Sequence, residues 1–93
     1  MTKNSAVREW IRNTPYSYDV PEMEDMIRTN AFGNNLSVLL AYVRTFENAG
    51  SYEIKEAAQY QIAQFLDGYG ILLKGHRGSN IFDVVDCIKR VCA

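Results

Sequence analysis

One histidine, two cysteines, two prolines and one tryptophan are all that 93 residues contain of four informative residue types. A structural zinc site needs about four Cys, His or carboxylate ligands converging on one point. Cys87 and Cys92 fall in a predicted helix, where a five-residue separation turns them about 140° apart at about 100° per residue. They neither converge on a metal nor pair readily with each other, and read as reduced cysteines acting as small hydrophobes. The lone His76 is flanked by Gly75 and closely followed by Gly78, with no nucleophile beside it, so the sequence offers no triad. Neither cysteine has a histidine nearby in sequence to activate it. No enzymatic activity, cofactor or metal is expected. The acidic stretch of Asp19, Glu22, Glu24 and Asp25 lacks the alternating ligands and central glycine of a calcium loop.

Also missing is any long apolar run. The opening residues Met1-Thr2-Lys3-Asn4-Ser5 do not lead into the roughly 7–15 apolar residues of a signal peptide, and nothing approaches membrane-spanning length. The expectation is a cytoplasmic protein with no membrane partner. A net charge of −1 supplies no global field toward nucleic acid or anionic lipid, so such binding would need a local patch.

What is there is globular: 47% apolar and 23% charged residues, without the excess of proline, serine or like charge that marks disorder. A chain this short buries roughly 60–65% of its unfolded surface and fills one core. The expected fold class is all-α: a compact irregular bundle of four or five helices forming a single domain over residues 1–93.

The periodicity predicts a first helix over residues 5–13, with Val7, Trp10 and Ile11 as its stripe, stopped by Thr14-Pro15. Tyr16 and Tyr18 follow in an irregular connector. A second helix starts near Asp19 to Pro21, where Glu22, Glu24 and Asp25 suit the positive end of the helix dipole, and closes at Phe32-Gly33. The third, over residues 35–48, spreads Leu36, Val38, Leu39, Leu40, Tyr42, Val43 and Phe46 over about 200° of the wheel. That width implies a central helix or one shared in an oligomer. Ser51 caps a fourth helix running to about Asp67, with Ile54, Ala57, Ala58, Ile62, Phe65 and Leu66 inward and Glu53, Glu56, Gln59, Tyr60, Gln64 and Asp67 outward. Gly68-Tyr69-Gly70 breaks or kinks it, and Ile71-Leu72-Leu73 is expected to cover the core for a further turn. After a loop over residues 74–78, a last helix from Ser79 or Asn80 turns Ile81, Val84, Val85, Ile88, Val91 and Cys92 inward. Asp83, Asp86, Lys89 and Arg90 face water, and Phe82 lies off the stripe.

Two surfaces emerge as candidates. Aromatics on polar faces anchor interfaces, which selects Tyr16, Tyr18, Tyr60 and Phe82. The acidic residues Asp19, Glu22, Glu24 and Asp25 bias a protein partner toward a basic surface. The alternative is an anion, nucleotide or nucleic-acid site built from Lys74, His76, Arg77 and Ser79 at a helix N-terminus, with Lys89 and Arg90. It is not a Walker loop, lacking the Gly-Lys-Ser/Thr ending. A helix-turn-helix fits badly, because its recognition segment would begin Ile71-Leu72-Leu73, where polar base-reading residues belong. The preferred reading is a non-enzymatic protein-protein interaction module, on the scale of the accessory inhibitors and adaptors that phages and mobile elements encode. Self-association through the third helix is a further option.

Overall fold

The computed structural model describes residues 16–74 and 78–92; the helix expected over residues 5–13 lies outside them. The order is β1 (Ser17–Tyr18), α1 (Val20–Arg28), a 3-10 turn (Gly33–Asn35), α2 (Leu36–Glu47), α3 (Tyr52–Gly68), β2 (Leu72–Leu73) and α4 (Ile81–Val91). The fold is mostly helical, as expected, but not purely so. β1 and β2 pair antiparallel, Ser17 opposite Leu73 and Tyr18 opposite Leu72.

The small sheet exists because α3 stops where a further turn was expected. Gly70 adopts φ +78°, and the amides of Gly70 and Ile71 reach back to the carbonyls of Asp67 and Leu66 at 2.9 and 3.0 Å. That pair of bonds is a Schellman termination, with glycine in the left-handed position. Ile71 is then fully buried as the hydrophobic residue that follows it, and Leu72-Leu73 leaves extended. The Ile71 carbonyl accepts from the Asp19 amide at 2.9 Å, which ties the strand to the entry of α1.

The same device closes α1 earlier than Phe32-Gly33. Asn30 takes φ 59°, and Asn30 and Ala31 donate to Ile27 and Met26 at 3.1 and 2.8 Å. Asparagine tolerates the left-handed region better than most side chains, so it serves where glycine was looked for. Phe32 is freed to enter the core, stacked edge-on to Tyr69 at 4.7 Å and beside Phe65 at 5.6 Å.

α2 and α3 form a helical hairpin whose turn is closed by the Ser51 hydroxyl, which accepts from the Ile54 amide at 3.2 Å. α2 buries Leu39, Val43 and Phe46, an i, i+4, i+7 stripe; Val38 is exposed, so its wide apolar arc is only partly wrapped. On α3 the buried stripe is Ala58, Ile62, Ala63 and Leu66, joined by Glu56. Glu56 was expected outward and Ile54 inward; Ile54, in the first turn of α3 and ahead of the buried stripe that starts at Glu56 and Ala58, is instead 48% exposed. α4 packs on α1 and buries Ile81, Val84, Val85, Cys87 and Ile88. Cys92, expected in the core, is exposed, since the helix ends at Val91 and Cys92 is its cap.

Candidate interaction surface

The N-terminus of α4 was the candidate anion site, and its premise was a set of free backbone N–H groups. Four N–H groups at this entry, those of Gly78, Ser79, Asn80 and Asp83, are engaged within the fold. Gly78 N–H donates to the Ser17 hydroxyl. Ser79 and Tyr18 exchange two backbone bonds of 2.9 Å. Asn80 and Asp83 close a reciprocal capping box, Asp83 N–H to Asn80 Oδ1 at 3.1 Å and Asn80 N–H to Asp83 Oδ2 at 3.3 Å. The Asp83 carboxylate therefore occupies the position at which a helix N-terminus would attract an anion. Gly78 is there for space: a Cβ on it would meet the Tyr18 carbonyl oxygen at 2.6 Å and the Tyr18 nitrogen at 2.8 Å.

Among the described residues, the basic side chains of the alternative, Lys74, Lys89 and Arg90, do not assemble around Ser79. Lys74 is exposed beside β2, His76 and Arg77 lie outside the described residues, and Lys89 and Arg90 sit at the far end of α4 from Ser79. That separation is about 15 Å at 1.5 Å per residue. Lys89 Nζ pairs with Glu47 at 2.9 Å and Arg90 with Glu24 at 2.9 Å. Glu47 holds the Lys89 ammonium protonated to higher pH than an isolated lysine. These pairs fasten α4 to α2 and to α1.

Glu24 is likewise taken up within the fold. Besides Arg90 it meets Arg28 at 3.8 Å and accepts from the Cys87 thiol at 3.9 Å. Burial, then the Glu24 carboxylate, pushes the Cys87 thiol pKa up, which makes it a poorer nucleophile. Asp19 caps α1 by accepting from the Glu22 amide at 3.1 Å. Of the acidic segment, Glu22 and Asp25 remain as exposed carboxylates outside these contacts.

The aromatic candidates divide. Tyr18 is 1% exposed and belongs to the core, a correction to its role as an interface anchor: it is held between Leu72 of β2 on one side and a bridge to Ser79 on the other. Its hydroxyl closes no hydrogen bond of full geometry. Burial pushes its pKa up to about 12, and the nearby Gln59 side chain offsets this in part. Tyr16 is half-buried, 6.0 Å from the Tyr18 ring and near Tyr60 and Asp67, with its pKa raised chiefly by burial. Tyr60, also half-buried, accepts from Gln64 Nε2 at 2.9 Å.

Phe82 stands apart. It is 59% exposed, and its ring meets Phe46 edge-on at 5.9 Å. Tyr52, in the first turn of α3, is 64% exposed. With Phe46, Lys55, Glu56 and Gln59 these two rings line a groove of about 210 Å³ floored by Ile81. The groove forms because the end of α2 and the starts of α3 and α4 converge here. The spacing of Tyr52, Lys55, Glu56 and Gln59 puts all four on one helix face. Lys55 Nζ lies over the Phe46 ring, 4.3 Å from its centroid, while Glu56, 5% exposed, forms part of the wall. Sequence reasoning selected Phe82 but missed Tyr52, whose i, i+3, i+4, i+7 relation to Lys55, Glu56 and Gln59 was available in the sequence.

A wider groove of about 370 Å³ lies between α2 and α4 over Leu40, Val43 and Ile88. It has no aromatic on its rim and is spanned by the Glu47–Lys89 pair, so it offers less of what anchors a partner. Among the described residues no group of three His, Cys, Asp or Glu side chains is placed to hold a metal ion, and no helix is long and apolar enough to cross a membrane. In comparisons with known proteins, no family model, curated protein or solved structure matches the chain.

Proposed function

We propose that the chain is a non-enzymatic protein-binding module that docks its partner at the Tyr52–Phe82 groove, acting by occupying a surface of that partner as accessory inhibitors and adaptors do. One observation carries the reading: two large aromatic rings, Tyr52 at 64% and Phe82 at 59% exposure, stand beside a third aromatic in a shaped groove. Fully burying a side chain such as Phe gains about 1.5–3 kcal/mol, enough for an interface anchor.

The test uses the full chain, tagged, and lysate of its native host in nuclease-treated and untreated halves. A protein recovered after nuclease is then rebound in purified form to the wild type and to the Tyr52→Ala/Phe82→Ala double variant. The expected outcome is a loss of at least about tenfold in affinity, the scale of a hot-spot pair, with helicity and Tm unchanged. Undiminished binding by the double variant would remove the groove from the reading. Recovery that disappears with nuclease would replace it with nucleic-acid binding.

A further inference from the structure

We propose that the Tyr52–Phe82 groove is occupied in the free chain by the chain's own N-terminal segment, whose Val7, Trp10 and Ile11 stripe lies on the two rings until a partner displaces it. This rests on the protein-binding reading in taking the groove as a docking seat, and adds an autoinhibitory occupant that a partner must outcompete.

The first observation is where the described chain begins. β1 is held between β2 and Ser79, antiparallel to both. From Tyr18 back toward the N-terminus, the chain therefore runs alongside Ser79 and Asn80 in the direction of α4. Tyr16 and Ser17 share a cleft with Ser79, Asn80 and Asp83, so residues 1–15 depart beside the first turn of that helix. Ile81 and Phe82, in the same turn, are the floor and one rim of the groove.

The second observation is reach. Thr14-Pro15 ends the expected helix, and the residue before a proline prefers an extended conformation. The three steps from Tyr16 to Asn13 span up to about 10 Å when extended. Three helical steps on to Trp10 add about 4.5 Å at 1.5 Å per residue. Trp10 can therefore lie over the start of α4. The α2–α4 groove meets α4 only at Ile88, Lys89 and Cys92, about 12–18 Å farther along the helix from Asn80.

The third observation is the stripe. Val7, Trp10 and Ile11 stand at i, i+3 and i+4, on one face of a helix. An isolated helix shorter than about 12–15 residues is marginal in water, so the stretch expected over residues 5–13 becomes helical by packing that face on a surface. A tryptophan brings about 150–250 Å² to such a contact, and aromatic anchors tend to meet other anchors. Among the described residues, Tyr52 and Phe82 are the exposed aromatics.

Trp10 is the single tryptophan of the chain, so its fluorescence reports the segment alone. Acrylamide quenching is measured on the full chain, on the Tyr52→Ala/Phe82→Ala variant and on the chain unfolded in urea. With the segment seated in about two-thirds of molecules, the wild type is expected to be quenched about threefold less than the unfolded chain, unchanged on dilution. The variant is expected to be quenched as much as the unfolded chain, with helicity retained. Wild-type quenching equal to that of the unfolded chain overturns the seat. So does protection that persists in the variant, which puts Trp10 on another surface, or protection that is lost on dilution, which puts the segment on a second copy. In Trp10→Ala, the backbone amide NMR signals of Tyr52, Lys55 and Phe82 should shift while those of Leu40 and Ile88 stay in place; unmoved signals at the groove also overturn it. None of these outcomes needs a partner, so the protein-binding reading stands or falls separately, on capture by the wild type and the double aromatic variant.

Discussion

The two ends of α4 invert what their sequences advertise. Its last turn carries Lys89 and Arg90, charges that look free for a ligand, and both are committed to Glu47 and Glu24 on neighbouring helices. Its first turn carries Phe82, a residue that by type belongs inside, and the ring is left largely in water beside Tyr52. Exposed charge is the ordinary condition of a protein surface, whereas a cluster of exposed aromatics is not. The site is therefore sought at the apolar end, and the basic end is a fastening.

The sharpest way to break the comparison is to truncate one buried and one exposed aromatic. Tyr18 and Phe82 were grouped together from sequence as surface anchors. Tyr18→Ala empties a fully covered site and is expected to cost about 3–5 kcal/mol, the range for large aromatic truncations. Phe82→Ala should stay within about 0.5 kcal/mol of the wild type, as surface substitutions do. Urea denaturation read by circular dichroism checks both. A large loss in Phe82→Ala would make that ring a core residue and remove the groove.

Next in size is Gly78→Ala. The new methyl would sit 2.6 Å from a backbone oxygen of β1, so the segment entering α4 must shift, at a cost of about 1–3 kcal/mol by analogy with overpacking. The change should also lower amide exchange protection at Ser79 and Tyr18. Unaltered protection with unaltered stability would mean that β1 does not lie against this segment.

These two residues also mark the limits of sequence reading here. Helix positions were legible from caps and periodicity: Asp19, Ser51 and Asn80 cap where expected. The β1–β2 pairing was not, because two-residue strands carry no detectable alternation and Ile71-Leu72-Leu73 suits a helix as well as a strand. The termination at Asn30 was hidden because asparagine marks a left-handed cap less reliably than glycine. Of the site, Phe82 was legible as an apolar residue off its stripe. Phe46 was not, since its heptad-like place on α2 assigns it to the core, and only the convergence of three helix ends gives its ring a face on the groove.

A smaller effect follows from the buried Tyr18 hydroxyl. Its pKa near 12 lies above the ordinary value of 10, so the unfolded chain loses this proton first. The contribution to stability is complete below pH 10 and is lost as pH rises from 10 to 12. At pH 11 that amounts to about 1 kcal/mol. Tyr18→Phe cannot titrate there, so its unfolding free energy should fall less steeply above pH 10 than that of the wild type. Parallel pH profiles would show that the hydroxyl reaches water.

The smallest expected effect tests the fastening at the other end of α4. Lys89 and Glu47 are well exposed, with 59% and 35% of their side chains accessible, and exposed pairs add little to stability. A double-mutant cycle with Glu47→Gln and Lys89→Gln should return a small favourable coupling that shrinks as salt screens the pair. The same variants should leave partner capture at the aromatic groove unchanged, because this pair fastens α4 to α2 at the opposite end of the helix. If Lys89→Gln weakened capture while the coupling stayed near zero, the lysine would be contacting the partner rather than Glu47, and the division of α4 into a fastened end and a binding end would fail.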